Sequence, residues 1–179
     1  MVHVLETGLE FIAHENPNGK PAVRGYNIIN GQLTSASDGS TFKSTNPALL
    51  ADCLGEFPLS TRDDVRDALH AARAAFPAWA ATPAPTRGQI IGNMGRLLME
   101  HKDALVALET REIGKTLKES GGEIQEAIDT CLFFQSEGRR LYGQTVNSEL
   151  PDKELFTYRR PLGVCAVSYT HLRAHETQP

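Results

Sequence analysis

The sequence is poor in the features that mark several large classes of protein. It holds three cysteines among 179 residues, Cys53, Cys131 and Cys165, and so few, widely spaced thiols exclude a disulfide scaffold and predict reduced cysteines. No apolar run approaches the roughly 18 residues of a membrane span, so we expect no membrane partner. The N-terminus also lacks the basic start and apolar core of a signal peptide. These absences together predict a cytoplasmic protein.

Basic residues are too few and too scattered to indicate a nucleic-acid-binding protein. The chain has 18 Lys and Arg against 22 Asp and Glu, a net charge of −4. We therefore expect neither nucleic acid nor an anionic membrane surface as a partner. The hydrophobic share of 40%, with 15 glycines in addition, is typical of a globular protein and excludes a disordered acidic tail.

The first third of the chain predicts turns and strands. Residues 1–25 are rich in polar and turn-forming types and predict a flexible N-terminal arm. From Tyr26 onward, two short runs flank Asn30-Gly31, a pair that accepts the positive φ values of a tight hairpin turn. Two further strands are predicted at Thr41–Thr45, which Asn46-Pro47 ends, and at Cys53–Phe57.

The middle of the chain predicts three long helices. The first begins at a capping box of Ser60 and Asp63 and carries an apolar stripe that Trp79 closes. Pro77 lies in this stripe and should kink or shorten the last turn. Its neighbours at helical spacing, Val65, Leu69, Ala72 and Phe76, complete the stripe.

The second helix begins near Pro85, since proline suits a first-turn position, and continues to Gly114. The third runs from about Glu119 to Leu141. Glycines at helical spacing in the second helix, Gly88, Gly92 and Gly95, predict close helix packing. The third helix is predicted to face inward through Ile124, Ala127, Ile128, Cys131, Leu132 and Phe134.

The last apolar run of the sequence predicts one strand of a parallel sheet for which no neighbouring strand is predicted. Leu162–Val167 is a continuous apolar run of six residues, which is typical of a strand buried on both faces. No neighbouring strand follows it. The fold class expected is α/β, with an N-terminal β-hairpin region, three long helices and extended strands that lead into this sheet. Cys131 and Cys165 are then buried thiols that keep their protons rather than nucleophiles.

Two motifs suggest chemistry that their surroundings do not support. Gly114-Lys115-Thr116 resembles the end of a phosphate-binding loop, but Glu109 occupies the position where the motif needs its first glycine. His171 and His175 have the i, i+4 spacing of two metal ligands on a helix face. No third ligand and no helix pattern accompany them. We therefore predict neither a phosphate cradle nor a metal site.

Several segments, in their order and spacing, resemble the N-terminal part of the aldehyde dehydrogenase superfamily over about residues 26–167. Gly138–Thr145 and Ser148–Pro151 are in addition similar to bacterial semialdehyde-oxidising branches. The segments that carry the resemblance are Ile29–Gly31, Thr45–Ala48, Ala71–Trp79, Leu108–Lys115, Gly122–Ile124 and Arg159–Val164.

The resemblance implies an architecture of three parts: a nucleotide-binding domain, a catalytic domain and a small oligomerisation arm. In this family a cysteine attacks the aldehyde, hydride passes to NAD or NADP, and a glutamate-activated water releases the acid. Those residues belong to later segments, so we assign no catalytic, cofactor-binding or metal-ligating residue to this chain. We expect a parent that acts as a homo-oligomer on an aldehyde, with a semialdehyde as the narrower expectation. The fragment itself is expected to be inactive and to bind no cofactor.

The final residues, Ser168–Pro179, depart from the family pattern. Val167–Thr177 matches the translation of a transposase adapter used in preparing sequencing libraries, which predicts that the native reading ends at Ala166 or Val167. The domains expected are a flexible arm at 1–25, the N-terminal portion of an aldehyde dehydrogenase domain at 26–167, and a non-native tail at 168–179. Two alternatives remain open: a non-catalytic helical interaction or oligomerisation module, and a small metal-binding protein that uses His171 and His175.

Overall fold

A computed structural model describes residues 10–12 and 22–167. It is a mixed α/β structure whose helices follow its larger strands. The elements in chain order are β1 (Glu10–Ile12), β2 (Ala22–Arg24), β3 (Asn27–Ile29), β4 (Gln32–Thr34), β5 (Thr41–Asn46), β6 (Leu49–Pro58), α1 (Arg62–Ala81), α2 (Ala84–Glu100), α3 (Lys102–Ile113), α4 (Leu117–Glu137), β7 (Thr145–Val146) and β8 (Leu155–Phe156).

The largest sheet has four strands in the order β1-β2-β6-β5. Strand β2 runs parallel to β6, with Val23 opposite Gly55, and the other two pairs are antiparallel. A Cβ atom at Gly55 would lie 2.3 Å from the Val23 carbonyl oxygen, so this close approach of the strands requires glycine. Parts of the predicted flexible arm are therefore strands, and Ala22 is fully buried. Pairing with residues distant in sequence supplies the hydrogen bonds of β1 and β2.

The short hairpin β3–β4 confirms the Asn-Gly prediction. Its register places Ile29 opposite Gln32. Asn30 and Gly31 have φ values of 52° and 74°, the pair of left-handed conformations that a two-residue hairpin turn needs. Strands β5 and β6 likewise confirm the two other predicted strands, and β6 is longer than expected.

Helix α1 has the predicted capping box one residue later than expected. The Thr61 N–H donates to Asp64 Oδ2 at 2.6 Å, and the Asp64 N–H donates to Thr61 Oγ1 at 3.4 Å. Both Ser60/Asp63 and Thr61/Asp64 fit the motif, so spacing could not choose between them. The Ser60 hydroxyl instead donates to Asn27 Oδ1 at 3.0 Å. Pro77 lies inside the helix, which continues to Ala81.

The described residues form four helices rather than three, because the predicted second helix is divided at His101. This residue has φ −103° and ψ 15°, outside the helical region, and its N–H donates to the Leu97 carbonyl at 3.0 Å. Apolar residues keep their helical spacing across the break, which is why periodicity predicted a single helix.

Glycines let α2 pack closely on α4, as predicted. A Cβ atom at Gly88 would lie 2.5 Å from the Gln135 carbonyl oxygen, and one at Gly95 would lie 2.8 Å from Cys131 Cβ. Ile128 and Cys131 are buried here, in agreement with the predicted inward face. Leu132 and Phe134 were also predicted to face inward, but 36% and 50% of their surfaces are exposed.

The described chain divides into two compact units. The first comprises the described residues up to Ala75 together with Lys102–Gly122, and the second comprises Phe76–His101 and the described residues from Glu123 onward. Buried apolar residues of the first unit are Ala22, Ala36 and Leu54, and those of the second are Ile128 and Cys131.

The predicted buried strand at Leu162–Val167 is not formed. Residues 157–167 have no regular secondary structure, Leu162 is 96% exposed, and Gly163 has φ 111°. No strand in the described part of the chain lies beside this run, so its backbone has no ladder to join. Cys165 is accordingly exposed, which corrects its assignment as a buried thiol.

Candidate functional site

A buried ion pair joins β6 to α3 within the first unit. Asp52, on β6, is 2% exposed. It accepts hydrogen bonds from Arg111 Nη2 at 2.7 Å and Nε at 3.0 Å, and Asn46 Nδ2 donates to Asp52 Oδ2 at 3.3 Å. The hydrogen bond with Asp52 raises the pKa of the Arg111 guanidinium further above its usual value. A guanidinium that never loses its proton cannot act as an acid or base, so this pair holds α3 against the sheet rather than performing chemistry.

The segment that resembles a phosphate loop is instead a helix cap. The Thr116 N–H donates to Glu119 Oε2 at 3.1 Å, and the Glu119 N–H donates to Thr116 Oγ1 at 3.3 Å. Lys115 Nζ forms an ion pair with Glu109 Oε1 at 2.9 Å. The residue that replaces the required glycine therefore neutralises the lysine, and the protein's own carboxylate occupies the start of α4.

This arrangement bears on the nicotinamide cofactor that the family resemblance implies. Dinucleotides are held by free backbone N–H groups and glycines at a helix N-terminus. The start of α4 has both its cap and its lysine engaged by Glu119 and Glu109. These residues do not fit an NAD or NADP pyrophosphate.

The cysteines occupy three different environments. Cys131 is buried on α4, Cys53 is half-buried on β6, and Cys165 is exposed. The thiols of Cys53 and Cys165 each lie 3.9 Å from a glycine carbonyl oxygen, at Gly55 and Gly163 respectively. His171 and His175, like the rest of Ser168–Pro179, lie outside the described residues. Within residues 10–12 and 22–167, no group of three or more His, Cys, Asp or Glu side chains could hold a metal.

Two adjoining recesses lie in the second unit, and sequence reasoning did not find them. Their volumes are about 460 and 370 Å³, and both are lined by Arg140 and Arg159. Arg140 follows α4 and Arg159 follows β8. The two arginines line the same recesses because the chain reverses its direction between them. The spacing of apolar residues does not predict which irregular segments lie beside each other.

Comparisons with known proteins agree with the architecture. A profile of the aldehyde dehydrogenase family matches residues 33–169. The succinate-semialdehyde dehydrogenase [NADP(+)] of Escherichia coli K12 is 42% identical over 139 residues, covering 78% of this chain and 29% of that protein. A glutarate-semialdehyde dehydrogenase of Pseudomonas putida KT2440 is 38% identical, covering 77% and 28%. The chain thus spans less than a third of the length of these curated relatives.

Solved structures show the same relationship. An NADP-dependent enzyme of E. coli matches with a TM-score of 0.70 and 41% identity, over 74% of this chain and 27% of that one. An NAD-dependent aldehyde dehydrogenase from Sinorhizobium meliloti matches with a TM-score of 0.72 and 29% identity, over 77% and 28%. No helix among the described residues is long and apolar enough to cross a membrane. By the extent of the profile match, the chain belongs to the aldehyde dehydrogenase family.

Proposed function

We propose that this chain is a portion of an NAD(P)-dependent aldehyde dehydrogenase whose full length oxidises a semialdehyde to the carboxylate. The observation that carries the proposal is the 42% identity to a succinate-semialdehyde dehydrogenase over 78% of the chain. The other curated relatives include enzymes for glutarate and malonate semialdehydes. Matching structures include NAD- and NADP-dependent enzymes, so we propose either nucleotide as the hydride acceptor.

We further propose that residues 26–167 are the N-terminal portion of the dehydrogenase domain. The chain alone is then expected to have no dehydrogenase activity. Its described thiols support this. Cys131 is buried, and the thiols of Cys53 and Cys165 each lie 3.9 Å from a glycine carbonyl oxygen, which is not a base that could activate a nucleophile. No residue of this chain is assigned to catalysis, cofactor binding or a metal.

Turnover assays on two proteins test this. We would compare the 179-residue chain with the complete reading frame recovered from the source DNA, using succinate and glutarate semialdehydes and either nucleotide. The complete protein should reduce NAD or NADP with at least one semialdehyde, and the chain should give no rate above buffer. A complete protein inactive on every aldehyde, or a chain that turns over, would contradict the proposal.

We propose a cytoplasmic homo-oligomer for the parent enzyme, as the family resemblance implies. Cell fractionation and gel filtration of the complete protein would check the two parts separately. A monomer of the complete protein in gel filtration would reject the oligomer.

A second candidate is a non-catalytic helical interaction module. The exposure of Phe133 and Phe134, at 57% and 50%, favours it because such large apolar surface usually marks a contact. Co-expression with the tagged complete enzyme would separate the candidates. Stoichiometric association of an independently encoded chain with the parent supports the module, whereas absence of association leaves the first proposal.

A further inference from the structure

The two recesses of the second unit differ in character. The larger has a polar wall, and the smaller has an apolar floor. Both lie within one compact unit. The larger is lined by Arg140, Tyr142, Gly143, Gln144, Thr157, Tyr158 and Arg159. The large apolar side chains of the smaller are Ile91, Phe133, Phe134 and Leu141.

Of the arginines that line the recesses, two are already engaged. Arg87 Nη1 donates to the carbonyl oxygens of Trp79 and Thr82 at 3.2 and 2.9 Å. Arg140 Nη2 donates to the Glu137 carboxylate and to Ser136 Oγ. Glu137 also lines the smaller recess, but this ion pair neutralises it.

Arg159 is different. It donates no hydrogen bond and forms no ion pair with any residue in the described part of the chain. It nevertheless lines both recesses, so it leaves a positive charge beside an apolar floor. An occupant that complements this surface carries a negative charge at one end and apolar surface at the other.

The backbone that carries Arg159 is held in place. The Thr157 N–H donates to the Gln144 carbonyl at 2.9 Å, and the Gln144 N–H donates to Thr157 Oγ1 at 2.8 Å. A Cβ atom at Gly143 would lie 1.9 Å from the Thr157 carbonyl oxygen, so the backbones of the two segments are in close contact there. The polar wall is therefore formed before any ligand arrives, which lowers the entropic cost of binding.

We propose that these recesses bind an amphipathic monocarboxylate, with its carboxylate on Arg159 and its alkyl chain over Phe133, Phe134 and the neighbouring apolar side chains. A guanidinium presents two parallel N–H donors that match a carboxylate. Recess volumes of about 460 and 370 Å³ lie within the roughly 300–1,000 Å³ of small-molecule sites. The proposal is independent of dehydrogenase activity.

Calorimetric titration of the 179-residue chain with decanoate, below its micellar concentration, tests the headgroup. Arg159→Gln should weaken binding about tenfold, the loss of one charged contact. Arg160→Gln is the matched control, because it removes the same charge from the next residue, which lines neither recess. It should leave the affinity within about twofold.

The apolar floor has its own pair of variants. Leu141→Ser should weaken decanoate binding several-fold, whereas Leu150→Ser, at a similarly exposed leucine outside both recesses, should not. Decanol, which has the chain without the charge, should bind at least about tenfold more weakly than decanoate.

Three results would overturn the assignment. They are the absence of saturable decanoate binding, equal weakening by Arg159→Gln and Arg160→Gln, and decanol binding as tightly as decanoate. Each would show that alkyl chains meet exposed apolar surface without a defined site. Dehydrogenase assays of the complete protein do not enter this test, so the failure of either proposal is recognised separately.

Discussion

At the scale of single residues, burial decides which charged contacts stabilise the fold. The Arg111–Asp52 pair is 18% and 2% exposed, whereas the Arg66–Asp63 pair on α1 is 61% and 63% exposed at a comparable distance of 3.0 Å. Water screens the second pair, but it cannot solvate Asp52 if its partner is removed. Two ion pairs of similar geometry are therefore expected to differ widely in their contribution to stability.

Arg111→Met should destabilise the first unit by about 3–5 kcal/mol, because it leaves the Asp52 carboxylate buried without the guanidinium that now donates two hydrogen bonds to it. Amide hydrogen exchange in α3 would measure the loss of protection. Arg66→Met is the control and should cost less than about 1 kcal/mol. Equal effects of the two variants would show that burial of Asp52 does not matter.

Asp64 predicts a dependence of stability on pH. Hydrogen bonds, first that from the Thr61 N–H and then those from the Thr61 and Ser37 groups, lower the pKa of Asp64 below its ordinary value of 3.8. A carboxyl whose folded pKa is lowered stabilises the protein above its unfolded pKa, and this contribution is lost as pH falls through the folded pKa.

Asp64→Asn should therefore reduce the loss of protection at the start of α1 when the pH is lowered below about 3.8. Asp67→Asn, at an exposed residue of the same helix, should keep the wild-type acid response. Hydrogen exchange as a function of pH is the measurement. An unchanged acid response in Asp64→Asn would show that another carboxyl controls this region.

At the scale of elements, local chemistry predicted more than long-range contacts did. Asn30-Gly31 specified its hairpin because the turn needs two positive φ values, which those residue types accept. The strand Ala22–Arg24 escaped prediction because its partner β6 is distant in sequence. The division at His101 escaped because apolar spacing continues across it, and Leu162–Val167 formed no strand because a buried strand depends on neighbours.

The candidate site was less predictable than the fold. The sequence predicted no phosphate loop at Gly114–Thr116, because Glu109 breaks the motif, but it gave no indication that Thr116 and Glu119 cap α4. The pairing of Asp52 with Arg111 joins residues 59 positions apart, for which a single sequence offers no spacing rule. Arg140 and Arg159 meet around the recesses for the same kind of reason.

Gly88→Ala tests the contact between α2 and α4. The new Cβ atom would lie 2.5 Å from the Gln135 carbonyl oxygen, and backbone cannot move aside as a flexible side chain would, so we expect a loss of about 1–3 kcal/mol. Gly121→Ala is the control, with no atom within 4 Å of its Cβ. It should stabilise α4 by about 0.5–1 kcal/mol. Thermal denaturation followed by circular dichroism would measure both.

At the scale of the whole molecule, the chain covers 29% of the length of its E. coli relative, and the family profile matches it up to residue 169. We predict that the source DNA beyond the codon for Ala166 continues a dehydrogenase reading frame and does not encode Ser168–Pro179. Sequencing the locus would check this. A genomic frame that encodes Ser168–Pro179 followed by a stop codon would reject the adapter hypothesis.

The interleaving of the two units along the chain has a consequence for biosynthesis. The first unit is not complete until Lys102–Gly122 has been made, after the whole of Phe76–His101. Asp52 thus leaves the ribosome 59 residues ahead of Arg111, a delay of roughly 3–12 s at about 5–20 residues per second. Throughout that interval the Asp52 carboxylate lacks the Arg111 guanidinium, so β6 cannot reach its final burial until translation has passed α3.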